Sequence, residues 1–265
     1  MHRHYRLLIS ILLFSSFLLP ACGQDKAAPS SSESRDTLSQ VSTIDSLMAG
    51  NYDGIETAEQ IFTKGDFGIG TFDGLDGEMV MLNGIVYQVE DSGMVTLPEN
   101  GITLPFAAVT YFDTDVSQAV GQVQDLDTLK NMLDQMIVKK DRFYAIRIDG
   151  TFSTIEVRSV PKQQKPYPIL SEVTKNQPIF NYESVNGSLI GFWCPEYVGS
   201  VNVPGYHLHF ISDDRSKGGH LLNVSISSAT IALDETRFFA MELGENSLSG
   251  SEIIDAQGEM DKVEK

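Results

Sequence analysis

GYHLHFISDDRSKGGH, residues 205–220, alternates apolar and imidazole side chains and then turns through a polar loop. Successive strand residues point to opposite faces, so Tyr206, Leu208 and Phe210 share one side and His207 and His209 the other. The loop 212–219 is rich in turn formers and predicts an antiparallel return. With Ile211 facing His220, His220 joins the histidine face, diagonal to His209. Diagonal neighbours lie about 7–8 Å apart at the backbone, a span that two imidazoles reaching for one ion can close. A slip of one residue would turn His220 to the wrong face.

The chain has five histidines. His2 and His4 precede an apolar leader, and the other three are His207, His209 and His220. Three neutral imidazoles with one position left open form the pattern of a catalytic zinc site, whereas a structural site usually closes with a fourth protein ligand. Zinc is the default ion for imidazole, although iron, nickel and copper also accept it. The plainer alternative is a set of histidines with no ligand, and the crowding of all three into one hairpin favours the metal.

Outward from the hairpin, strands dominate. Residues 68–72, 79–82, 85–89, 94–97 and 106–111 have β character, and Asn83-Gly84 between two apolar runs is a strong hairpin signal. Residues 143–149 and 152–160 read as two strands joined at Gly150, and 179–185 and 188–193 as a second hairpin around Asn186-Gly187. On 152–160, Thr154, Glu156 and Arg158 share a face. Residues 220–226, 230–233 and 238–243 continue the β character. Short helices are expected near 43–48 and 57–62. The one long helix is 125–138, with Leu126, Leu129, Leu133, Met136 and Ile137 at helical spacing. PKQQKPYP, 161–168, excludes regular structure and marks a connection. The expected fold class is α+β, with mixed or antiparallel β-sheets in two subdomains, few helices and a zinc site on a C-terminal β-hairpin.

The 265 residues, 42% hydrophobic and 21% charged, suit a globular protein with a sizeable core. A formal net charge of −17 repels phosphate backbones and argues against nucleic acid as a partner. Residues 1–22 read as a signal peptide, with a basic start and an apolar run too short to span a bilayer comfortably. LPAC, 19–22, is similar to a bacterial lipobox, with Pro20 an atypical residue in it. This makes Cys22 the candidate lipidation site and the chain an exported, periplasmic or cell-surface lipoprotein, touching membrane only through that anchor. Residues 23–37 form a flexible linker and 38–265 the folded domain. With Cys22 lipidated, Cys194 has no partner for a disulfide, and a buried thiol is expected there.

GTFDGLDGEM, 70–79, has glycines for tight turns and brings Glu78 to the start of a strand. Its plain reading is a loop with solvated acids. GDFGIGTFDGLDGEMVMLNG (65–84), YAIRIDGTF (144–152), VRSVPKQQKPYP (157–168) and VNVPGYHLHFISDDRSKGGH (201–220), in this order, closely resemble the α-acetolactate decarboxylase family. The resemblance runs from about residue 38 to the end. It implies decarboxylation of (S)-2-acetolactate to (R)-acetoin and CO2, in acetoin and butanediol metabolism, on a zinc ion held by His207, His209 and His220. It further implies that Glu78, Arg158 and a C-terminal glutamate, Glu264 or else Glu259, act in the pocket, and that Thr71 lines it. Arg147 competes with Arg158, which is preferred because polar residues share its face. The implied partner is a small 2-hydroxy-3-keto acid, and a homodimer is left open. The alternative is an exported zinc-binding lipoprotein of the same fold without turnover. A zinc hydrolase lacks the H-E-x-x-H helix that would support it.

Overall fold

The computed structural model describes residues 35–244 and Val263. The leader, Cys22, the linker up to residue 34, Glu259 and Glu264 lie outside the described residues. In chain order the elements are β1 (Thr37–Val41), α1 (Ile44–Met48), β2 (Glu56–Thr57), α2 (Ala58–Ile61), β3 (Phe67–Thr71), β4 (Glu78–Leu82) and β5 (Ile85–Val89). There follow β6 (Val95–Thr96), β7 (Thr103–Leu104), β8 (Phe106–Thr110), β9 (Val116–Val120), α3 (Leu126–Met136) and β10 (Phe143–Arg158). The described elements close with α4 (Leu170–Val173), β11 (Ile179–Cys194), β12 (Gly205–Ser212), β13 (Gly218–Thr236) and β14 (Phe238–Glu242). The fold is therefore mostly β with few helices, and the expected mixed and antiparallel sheets are present.

The first sheet runs β14-β1-β8-β3-β4-β5-β6, antiparallel except for the parallel β1–β14 pair. The second runs β10-β11-β12-β13-β9, and β10 also pairs with β13, so four strands close on themselves. A two-stranded ribbon, β2–β7, stands apart. On β4, Val80 and Leu82 join Phe192 and Ile211 of the second sheet in one buried cluster, while Met79 and Met81 pack the other way with Ile61 of α2 and Leu104 of β7. A strand buried on both faces explains the unbroken apolar run MVML, 79–82. Glu78 has the parity of Val80 and Leu82, so it is aimed at the second sheet.

The β4–β5 turn occurs where Asn83-Gly84 predicts it, with φ of 53° and 74° at the two residues. Positive φ at both central positions matches the strand twist of a tight hairpin. The long helix forms as α3, capped by the Asp125 carboxylate, which accepts from the Thr128 N–H at 2.8 Å. Its Leu129 and Leu133 are fully buried on the closed sheet.

Three local expectations are corrected. Gly150 is not a junction between two strands, because β10 runs unbroken through it. A Cβ there would lie 2.3 Å from the Ser228 carbonyl oxygen, so glycine serves close strand approach rather than a turn. Asn186-Gly187 is likewise interior to the single strand β11. A Cβ on Gly187 would meet the Ile211 carbonyl at 2.5 Å and the Phe210 ring at 2.6 Å, while Asn186 Oδ1 accepts from the Thr151 hydroxyl at 2.7 Å. Both turn-like signals are absorbed by long strands paired on both edges. Finally, Ile211 faces Gly218 rather than His220, and His209 sits directly opposite His220. The turn is tighter than expected, closed by the Ser212 N–H donating to the Lys217 carbonyl at 2.9 Å. A shift of two residues preserves the face, so His220 still points with the other histidines. The strand β9, on the open edge of β13, was not anticipated; four of its five residues are exposed and carry no alternation to read.

Candidate functional site

Tyr206, Leu208 and Phe210 of β12 pack into the core beneath α3, which leaves His207 and His209 on the opposite face. Across the β12–β13 pair, His220 completes a triangle with ring centroids 5.0–5.3 Å apart. One nitrogen from each imidazole lies within 4.8 Å of the other two, and this is the one such group of potential metal ligands found among the described residues. His209 is 1% exposed, and its Nδ1 lies 3.0 Å from the Met79 carbonyl oxygen. That carbonyl accepts the Nδ1 proton, so the lone pair of Nε2 is free to face the cluster. Burial, then the neighbouring His207 and His220, hold His209 well below the usual histidine pKa. It is therefore neutral near pH 7, the form that ligates a metal.

Glu78 approaches from the first sheet, where it pairs across the strands with Thr71. The intervening loop 72–77 is held by the Thr71 hydroxyl, donating to the Gly77 carbonyl at 2.7 Å, and by the Gly77 N–H, donating to Val160 at 3.1 Å. Gly77 has φ of +76°, and a Cβ there would sit 2.1 Å from the Val89 carbonyl oxygen. Gly77→Ala is therefore expected to destabilise the fold by roughly 1–3 kcal/mol, the range for a strained backbone site. A thermal melt of the variant checks this, and an unchanged midpoint would remove the strain argument at Gly77.

Glu78 Oε2 lies 3.6 Å from His209 Nε2, and Oε1 lies 3.9 Å from an Arg158 terminal nitrogen. Neither distance is that of a hydrogen bond. Arg158 ends β10, opposite His220 on one edge and Ile179 on the other, and is 4% exposed. One terminal nitrogen donates to Gln177 Oε1 at 3.0 Å, and its Nε is buried without a partner among the described residues. Arg147 is elsewhere on β10, bonded to Asp149 at 2.7 Å and to Asn83 at 2.9 Å, and does not line the cavity.

These groups line one shared cavity. Thr71, Glu78, Arg158 and the three histidines make its polar side. Ile44 and Leu47 of α1, Leu75, Phe106, Val160, Leu170 of α4 and Val263 make the apolar side. The sequence reading missed this apolar wall and Gln177. The i, i+3 spacing of Ile44 and Leu47 signals a buried helical face, but nothing local says what it covers. Gln177 has no pattern to betray it, being a polar residue before a proline in a connection. Cys194 is buried in the core between the sheets, where desolvation raises its thiol pKa. Imidazoles for a cation, a guanidinium for a carboxylate and a carboxyl group for a proton, within an apolar shell, suit chemistry on a small anion.

Residues 38–249 match the family model described as Alpha-acetolactate decarboxylase. The chain is 45% identical over 237 residues to the alpha-acetolactate decarboxylase of Methanosarcina mazei, which covers 89% of this chain and 82% of that protein. It is 39% identical over 226 residues to the one from Brevibacillus brevis, covering 84% and 79% of the two chains. The crystal structure of alpha-acetolactate decarboxylase from Bacillus subtilis strain 168 aligns with a TM-score of 0.81 at 33% identity, covering 86% of this chain and 99% of that one.

Proposed function

This chain belongs to the alpha-acetolactate decarboxylase family, and we propose that it converts (S)-2-acetolactate to (R)-acetoin and CO2 with a zinc ion held by His207, His209 and His220. The observation that carries the reading is the convergence of those histidines with Glu78, 3.6 Å from His209, and with Arg158, 3.9 Å from Glu78, in one largely apolar cavity. A protein that merely holds a metal has no use for a buried acid and a buried guanidinium beside it.

The donor set fits zinc. The ion would be held by His207, His209 and His220, whose ring nitrogens lie within 4.8 Å of one another, with the Nε2 atoms of His207 and His209 3.3 Å apart. The Met79 carbonyl fixes the tautomer of His209. When bound, zinc supplies Lewis-acid polarisation of the substrate's ketone oxygen.

The chain's own residues do the rest. Arg158 receives the substrate carboxylate through its planar fork. As the bond from C2 to that carboxylate breaks, its electron pair moves toward the former ketone and neutral CO2 leaves. The apolar wall of Ile44, Leu47, Leu75, Leu170 and Val263 excludes water and favours the loss of carboxylate charge. The reaction consumes one proton, which Glu78 in its acid form delivers to carbon from one side and regains from solvent. Thr71 spends its hydroxyl proton on the Gly77 carbonyl, so it offers the substrate only an acceptor, suited to the 2-hydroxyl. Glu264 is the proposed second carboxyl of the site, supported by its neighbour Val263, which is buried against the cavity. From the leader 1–22 we also propose export, with Cys22 carrying the lipid.

Zinc-loaded protein given acetolactate is expected to release acetoin and CO2 in equal amounts. Chelation should abolish turnover and added zinc restore it. Acetoin formation no faster than the uncatalysed rate, with zinc bound, would leave the chain a metal-binding protein of this fold and sink the proposal.

A further inference from the structure

We infer that Gln177 is a positioning residue, holding the Arg158 guanidinium away from Glu78 and turned toward the carboxylate of a 2-hydroxy acid. The inference rests on the reading that Arg158 receives that carboxylate. Arg158 and Glu78 are both nearly buried, and whenever Glu78 has given up its proton the two are oppositely charged and, in a low-dielectric site, strongly drawn together. Yet their closest separation is 3.9 Å, and the arginine nitrogen nearest Glu78 donates instead to Gln177 at 3.0 Å. An Arg158 drawn closer onto Glu78 would have less of its fork available for a substrate carboxylate. The acceptor on Gln177 opposes that collapse, and the buried Nε of Arg158 keeps an unmet hydrogen-bonding need among the described residues.

Gln177 is well placed to hold this position. The 3₁₀ turn Thr174–Asn176 follows directly on α4, and the Gln177 N–H donates to the Thr174 carbonyl at 3.4 Å. Pro178 comes next, and its carbonyl accepts from the Ser159 N–H at 3.3 Å, beside Arg158 itself. Ile179 then pairs with Arg158 across β10 and β11. The backbone on both sides of Gln177 is thereby tied, on one side to the element that carries Leu170 into the cavity wall and on the other to the strand that carries the arginine.

The test uses zinc-loaded protein and 2-hydroxy-2-methylbutanoate, a hydroxy acid with no ketone and therefore no decarboxylation chemistry. Its affinity is measured by calorimetry for wild type, Gln177→Met, Arg158→Ala and the double variant, beside KM and kcat for acetolactate. Gln177→Met is nearly isosteric but has no comparable acceptor. It is expected to weaken binding of the hydroxy acid and raise KM about tenfold, the size of a lost hydrogen bond to a charged group. Zinc content and thermal midpoint should stay at the wild-type values. In the Arg158→Ala background the same substitution should have almost no effect, because residues acting through one contact are non-additive. A Gln177→Met effect of equal size with and without Arg158, or none at all in either Gln177→Met or Gln177→Ala, overturns the inference while leaving the decarboxylase reading intact. Arg158→Ala binding the hydroxy acid as tightly as wild type overturns the inference together with the carboxylate role of Arg158. Absence of turnover in wild type would count against the proposed reaction, and the calorimetric comparison would still decide the role of Gln177.

Discussion

His209→Ala is expected to lose bound zinc and to reduce turnover by a factor of about 1,000 or more. His209 is the most deeply buried of the three histidines, at 1% exposure, and its ring is oriented by a backbone hydrogen bond to the Met79 carbonyl. Removing it deletes one of three nitrogens and leaves that carbonyl without its partner in a buried site. Lewis-acid polarisation of a carbonyl contributes several kcal/mol to a transition state, and about 1.4 kcal/mol is a factor of ten in rate. Metal analysis after gel filtration and an acetoin assay are sufficient to check it. A variant that keeps a full equivalent of zinc and more than a tenth of wild-type activity would show that the histidine triangle is not the metal centre of this reaction.

Glu78→Gln separates metal binding from proton delivery. The amide has nearly the volume of the acid and fits the same contacts, but it cannot donate an acidic proton. A positioned general acid typically contributes a factor of about 100 to 10,000, so kcat should fall by at least about 100-fold. Zinc should stay bound, since Glu78 is outside the group of three nitrogens that lie within 4.8 Å of one another. KM should not rise, because the neutral amide, like the acid form it replaces, lies 3.9 Å from Arg158 without competing with the substrate carboxylate for the guanidinium. That pattern, kcat lost with KM kept, contrasts with the raised KM expected for Gln177→Met, and zinc is kept in both. Unchanged kcat in Glu78→Gln removes Glu78 from the proton transfer.

The parts of the site legible in the sequence are those that strand geometry alone determines. His-x-His on an alternating strand shares a face whatever the strand packs against, and a polar turn followed by His220 returns a third imidazole to that face for any register of the right parity. The structure shifts the expected register by two residues without disturbing the outcome. Asn83-Gly84 was readable for a similar reason, since its turn is set by the φ preferences of the two residues themselves. Gly150 and Asn186-Gly187 carry nearly the same local signal and mean something else. There the backbone of a neighbouring strand comes within 2.3–2.5 Å of where a Cβ would be, and only the closed sheet puts it there.

The sequence by itself therefore determined the β character of the chain, the three imidazoles on one face and, through resemblance to a family, the residues to look for. Only the tertiary structure decided how they meet. Glu78 and Arg158 are 80 positions apart on strands of different sheets, and their approach depends on two sheets packing through Val80, Phe192 and Ile211. The apolar wall built from α1, α4 and Val263, and the hold of Gln177 on Arg158, exist only once those sheets are together. Strand alternation is a property of the local backbone and survives in any context, whereas a cavity is a relation between surfaces that no stretch of residues contains.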